Sequence, residues 1–430
     1  MSTLIEINNN NNSLFDEEPR VPDTIERIEG STVTYNDFFS KYLTGNEPCV
    51  INSRATENWP CRREWVSNDA PNFEVLRALF GQTVVPVADC NRKFYNSQFK
   101  DDMPMKSYLD YWVDYKQNNY SKSMPLLYLK DWHCVKSFPD IPIYEVPQYF
   151  VSDWLNEYYI AHPELNDDYM FIYMGPKETW TPLHADVFTS YSWSANIVGR
   201  KRWLLFPPHE EDHFRDLYGQ LAYDAVSADL NDHTKYKMYD SKKLKCFDIT
   251  QEAGEIIFVP SGWHHQVWNL EDTISINHNW INGCNISNVW QALKMELRSV
   301  MKEVDDCKDM KNWNKHCQLM LKASYGMDYK QFLEFISFIA KNRLHAMLKK
   351  NQVVSFRKYH FGYNHCLFDL RALKNVLEDI ITDAQDLSVY NLMCENDEAR
   401  LLLKTVNSFL ESSCNIENVT SPMIVQSKVQ

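Results

Sequence analysis

Residues 169–283 contain a series of short β-like runs with no helical pattern between them, and this segment constrains the fold more than any other. Gly, Pro, Asn or Asp residues separate the runs. Closely spaced short strands without intervening helices are typical of a sandwich or a jelly-roll barrel, and they argue against an α/β sheet. The predicted runs are Tyr169–Met174, Tyr191–Val198, Lys201–Phe206, Cys246–Ile249, Glu255–Val259, His265–Asn269 and Thr273–Trp280.

Glycine is scarce in this chain and is concentrated in the same segment. Only 11 of the 430 residues are glycine, and neither G-x-G-x-x-G nor G-x-x-x-x-G-K occurs. Both motifs need closely spaced glycines so that the backbone can approach phosphate groups. The sequence therefore argues against a Rossmann or P-loop nucleotide site. Six glycines lie in the strand-rich segment, where we expect the chemistry: Gly175, Gly199, Gly219, Gly254, Gly262 and Gly283.

The charge and cysteine content indicate the compartment and the kind of partner. The chain has 44 Lys and Arg against 58 Asp and Glu, a net charge of −14, which opposes direct nucleic-acid binding and suits a basic protein partner. Its 11 cysteines show no C-x-x-C pair and are read as reduced thiols. With no signal peptide and no apolar run long enough for a membrane span, we expect a cytoplasmic protein, with nuclear presence left open.

The chain divides into four stretches by pattern. Residues 1–25 include an asparagine run and are expected to be a flexible tail. Residues 26–124 mix helical and strand-like patterns and should pack on a barrel formed by residues 125–283. In residues 284–430 apolar side chains recur at helical spacing, which predicts a helical region. Core packing explains these apolar stripes better than a dimer face does, but a homo-oligomer through these helices stays open.

Two histidines and an aspartate form a candidate metal site. His184 and Asp186 are two residues apart, so an extended chain points both side chains to one face. A second cluster offers His264 and His265, and alternation places His265 on the opposite face from His264. Two His and one carboxylate with open positions are typical of non-haem Fe(II) oxygenases. A structural zinc site would need a fourth protein ligand, and none is evident.

Three blocks of this chain resemble the JmjC (jumonji C) family of cupin-like, 2-oxoglutarate-dependent oxygenases. They are residues 173–186, 192–208 and 258–265, in the family's order. The resemblance implies an α+β fold built on a double-stranded β-helix, a jelly-roll barrel over residues 125–283. It also implies an Fe(II) ion and the co-substrate 2-oxoglutarate.

The resemblance assigns the metal ligands residue by residue. In relatives the third ligand lies five positions after the proline of the last block, which here is Pro260 and gives His265. His184, Asp186 and His265 are therefore the implied iron ligands. His264 is expected at the surface or behind the ligands.

The resemblance also implies which residues bind 2-oxoglutarate. Lys201 matches the lysine that binds the distal carboxylate, and the arginines on either side of it should face solvent or form ion pairs. Thr181 and Tyr128 match positions whose hydroxyl groups bind the same carboxylate. Asn277 is a further candidate by position in its strand.

The resemblance leaves three functions open. A hydroxylase would use O2 and 2-oxoglutarate, release succinate and CO2, and add a hydroxyl group to a protein. The resemblance is greatest to a group associated with lysyl hydroxylation of the eukaryotic translation termination (release) factor, which makes that factor the leading partner. A lysine demethylase and a catalytically silent cupin-type scaffold are the alternatives. The absence of zinc-finger spacing and the acidic charge favour the hydroxylase over the demethylase.

Overall fold

The computed structural model describes residues 3–8, 21–348, 354–356, 358–386 and 398–420. The chain forms two compact units. One comprises Ser13–Ile281, and the other comprises Met1–Asn12 together with Asn282–Gln430. We call them the barrel unit and the helical unit.

Most of the strands lie in the barrel unit, and three short strands lie in the helical unit among the described residues. The strands are β1 (Thr3–Ile5), β2 (Glu26–Ile28), β3 (Cys49–Ile51), β4 (Val66–Ser67), β5 (Ala70–Pro71), β6 (Val84–Phe94), β7 (Ser97–Pro104), β8 (Leu127–Trp132), β9 (Met170–Gly175), β10 (Trp180–His184), β11 (Tyr191–Val198), β12 (Lys201–Phe206), β13 (Phe247–Gln251), β14 (Ile256–Val259), β15 (His264–Asn269), β16 (Thr273–Trp280), β17 (Val354–Phe356) and β18 (Tyr359–Phe361).

Among the described residues, six helices belong to the barrel unit and five belong to the helical unit. The helices are α1 (Tyr35–Phe38), α2 (Pro60–Glu64), α3 (Phe73–Phe80), α4 (Met105–Gln117), α5 (Cys134–Ser137), α6 (Trp154–Ala161), α7 (Ile286–Glu303), α8 (Trp313–Tyr325), α9 (Tyr329–Leu348), α10 (Tyr363–Asp386) and α11 (Glu398–Thr420). In the part of the chain that the structure describes, no helix combines the length and the apolar character needed to cross a bilayer.

Two sheets form the barrel. The smaller sheet has the order β10-β15-β12-β13, and the larger has the order β2-β3-β14-β11-β16-β9-β8-β6-β7. The barrel strands around the interior pair in antiparallel fashion, and several neighbours, such as β10 with β15, β12 with β15 and β11 with β16, are far apart in sequence, as in a jelly roll. This confirms the α+β barrel fold that the strand pattern and the family resemblance predicted.

Apolar side chains from both sheets fill one part of the barrel interior. Trp203, Leu205 and Val267 of the smaller sheet pack with Ile257 and Val259 of the larger one. Burial of this apolar surface is the main force that holds the two sheets together. The remaining interior carries polar side chains, which are described below.

The stretch 26–124 contributes to the same sheet instead of forming a separate layer. β2 and β3 extend the larger sheet at one edge, and the long β6–β7 hairpin extends it at the other. Only the start of β6, over residues 84–87, has a β-like sequence pattern, because the second half of the strand is polar.

The N-terminal tail prediction is wrong for the first described residues. Thr3–Ile5 form β1, which pairs in parallel with β18 inside the helical unit. Ile5 and Ile7 are buried there, so this short segment gains enough apolar burial to become ordered. Most of the asparagine run, residues 9–12, lies outside the described residues.

Candidate metal centre and co-substrate pocket

The pairing of β10 with β15 creates the candidate metal centre. Antiparallel register places His184 directly opposite His265, after an irregularity between Thr181 and His184. Asp186 follows the end of β10 in an extended conformation that returns its carboxylate toward both rings. One ligand atom from each of the three side chains lies within 4.8 Å of the others. Among the described residues this is the only group of three or more such side chains that could hold a metal ion.

Backbone contacts orient both imidazole rings for metal binding. Nδ1 of His184 lies 2.8 Å from the carbonyl oxygen of Pro182, and Nδ1 of His265 lies 3.1 Å from that of Trp263. Each Nδ1–H can donate to its carbonyl, which leaves Nε2 unprotonated and free to bind a metal. Burial, together with the charge of the neighbouring His265, lowers the pKa of His184 to about 4 and keeps the ring neutral.

The carboxylate of Asp186 is also held in place. Ser192 donates its hydroxyl to Oδ2 of Asp186 at 2.6 Å, and Nε2 of His265 lies 3.9 Å from the same oxygen. Two imidazoles and one carboxylate fit a divalent first-row metal with open coordination positions. The residues present therefore fit an Fe(II) site.

All seven predicted site residues line one cavity. Its polar lining comprises Tyr128, Tyr173, Thr181, His184, Asp186, Ser192, Ser194, Lys201, His265, Asn277 and Asn279, and its apolar lining comprises Trp193, Trp203 and Val267. The structure thus brings the metal group and the predicted co-substrate residues into a single pocket.

Lys201 is a buried cation without a carboxylate partner. It is 2% exposed, and its Nζ lies 3.2 Å from the hydroxyl oxygen of Tyr128. No acidic side chain among the described residues forms an ion pair with it, and burial lowers its pKa to about 7. A buried cation is costly unless it is paired, so this site fits an anionic ligand.

The arginines beside Lys201 lie on the other face of β12, as the sequence predicted. Arg200 pairs with Glu271 at 2.8 Å, and Arg202 pairs with Asp248 at 2.7 Å. Both are largely exposed, so they do not compete for the pocket.

Comparison with known proteins places the chain in a family. Residues 35–286 match the model of the cupin-like domain. The "2-oxoglutarate and iron-dependent oxygenase JMJD4" of Gallus gallus is 47% identical over 83% of this chain and 85% of its own length, and that of Homo sapiens is 43% identical over 82% and 84%. The "Arginine-specific demethylase JMJ20" of Arabidopsis thaliana is 40% identical over 83% and 77%.

The chain belongs to the cupin-like JmjC oxygenase family. This confirms the family that the three sequence blocks suggested. The blocks contain the three metal-group residues together with Thr181 and Lys201, whereas Tyr128 and Asn277 of the pocket lie outside them.

A polar support behind the pocket of this JmjC chain was missed by sequence reasoning. Asn269, directly opposite Lys201 in the β12–β15 pairing, donates from Nδ2 to the hydroxyl of Thr179 at 2.7 Å. A side chain at Gly175 would collide with the Tyr128 ring. The sequence does indicate that Asn269 faces the pocket, because alternation in β15 places its side chain on the same face as that of His265.

Two serines in the JmjC pocket were missed as well. Ser192 holds Asp186, and Ser194 is buried with its hydroxyl oxygen lacking a partner among the described residues. Their spacing of two in β11 could have shown that both face the barrel interior.

His264 lies outside the metal group, as the sequence predicted. Its Nδ1 is 3.8 Å from Oε2 of Glu211, on the outer side of β15. Burial lowers its pKa to about 3.

Proposed function

We propose that this protein is an Fe(II)- and 2-oxoglutarate-dependent protein hydroxylase that modifies a lysine side chain of the eukaryotic translation termination (release) factor. The carrying observation is that one cavity holds both a His-Asp-His group and a buried lysine for which the described residues offer no ion-pair partner. A metal group alone would fit other reactions, and a buried cation alone would fit many anions. Their combination fits an oxygenase that binds a dicarboxylate beside iron.

His184, Asp186 and His265 would hold the iron and leave its remaining positions open to ligands. Bound iron and 2-oxoglutarate together supply the oxidising chemistry, in which O2 and the keto acid yield succinate, CO2 and an oxygen atom for the substrate. Ser192 keeps the Asp186 carboxylate in place, and the backbone carbonyls keep both imidazoles in the metal-binding tautomer.

Lys201 would bind the distal carboxylate of 2-oxoglutarate deep in the barrel. A charge-assisted hydrogen bond in this buried site is stronger than one in water, and the carboxylate supplies the missing counter-ion. Tyr128, next to Lys201, would donate its hydroxyl to the same group. Thr181 and Asn277 line the cavity and would add hydrogen bonds.

The names of the relatives support an oxygenase activity and also indicate a second candidate function. Relatives from Gallus gallus and Homo sapiens are named 2-oxoglutarate and iron-dependent oxygenases. One from Arabidopsis thaliana is named an arginine-specific demethylase, and one from Caenorhabditis elegans, 27% identical, a bifunctional arginine demethylase and lysyl-hydroxylase. Demethylation of a basic side chain is therefore the second candidate.

The acidic balance and the cysteines support the proposed partner and location. A net charge of −14 suits a partner that presents a basic side chain. Every cysteine from Cys49 to Cys366 is a free thiol, which suits the reducing cytoplasm. We place the reaction in the cytoplasm.

The test combines two measurements on the same sample. Purified protein with Fe(II), 2-oxoglutarate, O2 and purified release factor should release succinate and add one oxygen atom to a lysine of the factor. Release of formaldehyde from methylated arginine or lysine peptides, with no oxygen added to the factor, would favour the demethylase. Asp186→Ala is the control for metal-dependent turnover, and Arg200→Ala is the control for a neutral surface change.

A further inference from the structure

Two neighbouring turns in the barrel unit place large apolar side chains in water. In the β6–β7 turn Phe94 is 55% exposed and Tyr95 is 86% exposed. In the turn before Gly219, Leu217 is 53% exposed and Tyr218 is 88% exposed. We call these four residues the aromatic rim. Single exposed apolar residues are ordinary, but a cluster of them marks an interaction surface.

The backbone conformation of Tyr95 is a second indication that the aromatic rim is an interaction surface. Only Tyr95 and Asn96 separate β6 from β7, and Tyr95 has φ of +53°, in the left-handed region that favours glycine or asparagine in tight turns. A bulky side chain in the left-handed region lowers the stability of the folded state. The exposed Tyr95 ring buries too little surface to offset this loss. Strain of this kind is found where function requires the side chain.

The two turns are joined to each other. Asn96 donates from Nδ2 to the carbonyl oxygen of Leu221 at 3.2 Å. Nζ of Lys93 lies 4.8 Å from the centre of the Tyr223 ring, which adds a cation–π contact. The aromatic rim is therefore presented by one connected surface, not by two independent loops.

Both turns are also anchored on β10, the strand that carries His184. Gln98 donates from Nε2 to the carbonyl oxygen of Trp180 at 3.0 Å, and Leu183 N–H donates to the carbonyl oxygen of Tyr223 at 3.1 Å. β10 is an edge strand of the smaller sheet, so these contacts cover its free edge. The surface that carries the rim thus reaches the residue next to a metal-group histidine.

The pocket opens on the side of the metal group. His184 and Asp186 are partly exposed, whereas Lys201 and His265 are buried. A protein that sends a side chain to the metal must therefore cover this side. A standard interface buries about 800 Å² per partner, a disc about 30 Å across, and so extends over neighbouring turns.

We infer that the aromatic rim is the docking surface for the protein substrate and contacts the segment that flanks the modified side chain. This inference rests on the proposed function, since it takes the release factor as the partner. Exposed tyrosines beside a pocket supply large contact areas at small entropic cost, and interface energy is concentrated in such residues.

The test compares two surface variants in the succinate-release assay with purified release factor. The double variant Tyr95→Ser with Tyr218→Ser should raise the KM for the factor by about tenfold or more, while the KM for 2-oxoglutarate stays unchanged. Val84→Ser is the matched control. Val84 is also exposed, at 60%, but lies at the other end of β6, about 30 Å along the strand.

A stability measurement separates docking from a structural role of Tyr95. Tyr95→Asn relieves the backbone strain, so its melting temperature should equal or exceed that of the parent while its KM for the factor rises. A fall of more than about 3 °C would assign Tyr95 to the fold and overturn the inference.

The remaining outcomes distinguish the inference from the proposed function. If the parent hydroxylates the factor and the double variant keeps the same KM, the inference fails and the proposed function stands. If the parent does not turn over the factor at all, the proposed substrate fails and takes the inference with it. A parent dimer that the double variant dissociates in sedimentation would show that a second copy covers the rim, which also overturns the inference.

Discussion

The two units of this molecule differ in whether a buried charged side chain has a partner of opposite charge within the described residues. In the barrel unit Lys201 is buried without an acidic partner among the described residues. In the helical unit Arg343 of α9 and Asp369 of α10 are equally buried but form an ion pair at 2.8 Å, and His365 lies 3.4 Å from the second oxygen of Asp369.

The difference separates a charge that serves the fold from one that serves a ligand. A buried ion pair satisfies both partners, and it joins two helices with a fixed geometry. A buried cation without a partner costs stability and is retained where a ligand completes it. Removing one group from each cluster should therefore change different properties: stability in the helical unit, and ligand binding in the barrel unit.

The largest expected effect comes from the metal group. Asp186→Ala should lower succinate release by more than about 1,000-fold, beyond the ~10–100-fold that loss of an outer partner of a metal ligand costs. Bound iron, measured by elemental analysis after mixing with Fe(II), should fall with it while the melting temperature changes little. Full activity in this variant would contradict the metal assignment.

The second largest effect is expected for loss of the buried ion pair between Arg343 and Asp369 in the helical unit. Asp369→Ala removes the carboxylate that pairs with the buried Arg343 guanidinium, so the free energy of unfolding should fall by about 3–5 kcal/mol. Urea denaturation followed by circular dichroism measures this change. Glu334→Ala is the control, since Glu334 pairs with Lys330 on the exposed face of the same helix α9 as Arg343, and its loss should change stability little.

Loss of the unpaired cation should weaken ligand binding without harming the fold. Lys201→Ala removes a charge-assisted hydrogen bond worth about 1.5–3 kcal/mol, which is roughly a 10–100-fold loss of 2-oxoglutarate affinity. Isothermal titration with the metal-loaded protein measures the affinity. Arg200→Ala should leave it unchanged, because Arg200 faces solvent and pairs with Glu271.

The smallest effect is a dependence of 2-oxoglutarate affinity on pH. Burial lowers the pKa of Lys201 to about 7 in the free protein, and a bound carboxylate would raise it again. Binding therefore takes up a proton above pH 7, and affinity should fall by up to about tenfold per pH unit as the pH rises further. Titrations at about pH 6 and about pH 8, roughly 1 unit on either side of the pKa of Lys201, compare the two protonation states.

A substitution at Lys201 tests whether this residue causes the pH dependence of 2-oxoglutarate affinity. Arginine stays protonated throughout this range, so Lys201→Arg should flatten the pH profile if it retains any affinity. A profile that is equally steep in this variant would assign the titration to another group.

Much of the barrel could be predicted from the chain alone, because its strands have local signals. Alternating apolar residues and turn residues located β11, β12 and β16 within one or two residues. The long β6–β7 hairpin was missed since its second half is polar and exposed. β1 was missed because its partner, β18, lies more than 350 residues later, and a short strand without its partner has no pattern of its own.

The candidate site was predictable where the residues fall in compact motifs. His184, Asp186 and Lys201 lie in such motifs, and the choice of His265 over His264 followed from alternation and resemblance. Strand alternation places Asn269 and Ser194 on interior faces, but it does not mark them as part of the site, because any polar residue at an inward position has the same pattern. Their importance depends on which atoms face them.

By itself, the sequence determined the chemical groups and the local periodicity: a histidine and an aspartate on one face, a lysine alternating with apolar residues, and strands separated by turns. Only the tertiary structure decided that His184 lies opposite His265, that Lys201 forms no ion pair within the described segments, and that Arg343 pairs with Asp369. These features depend on antiparallel register and helix packing between distant segments. Burial then sets the electrostatic cost of each charge, and that cost depends on the surroundings that folding creates.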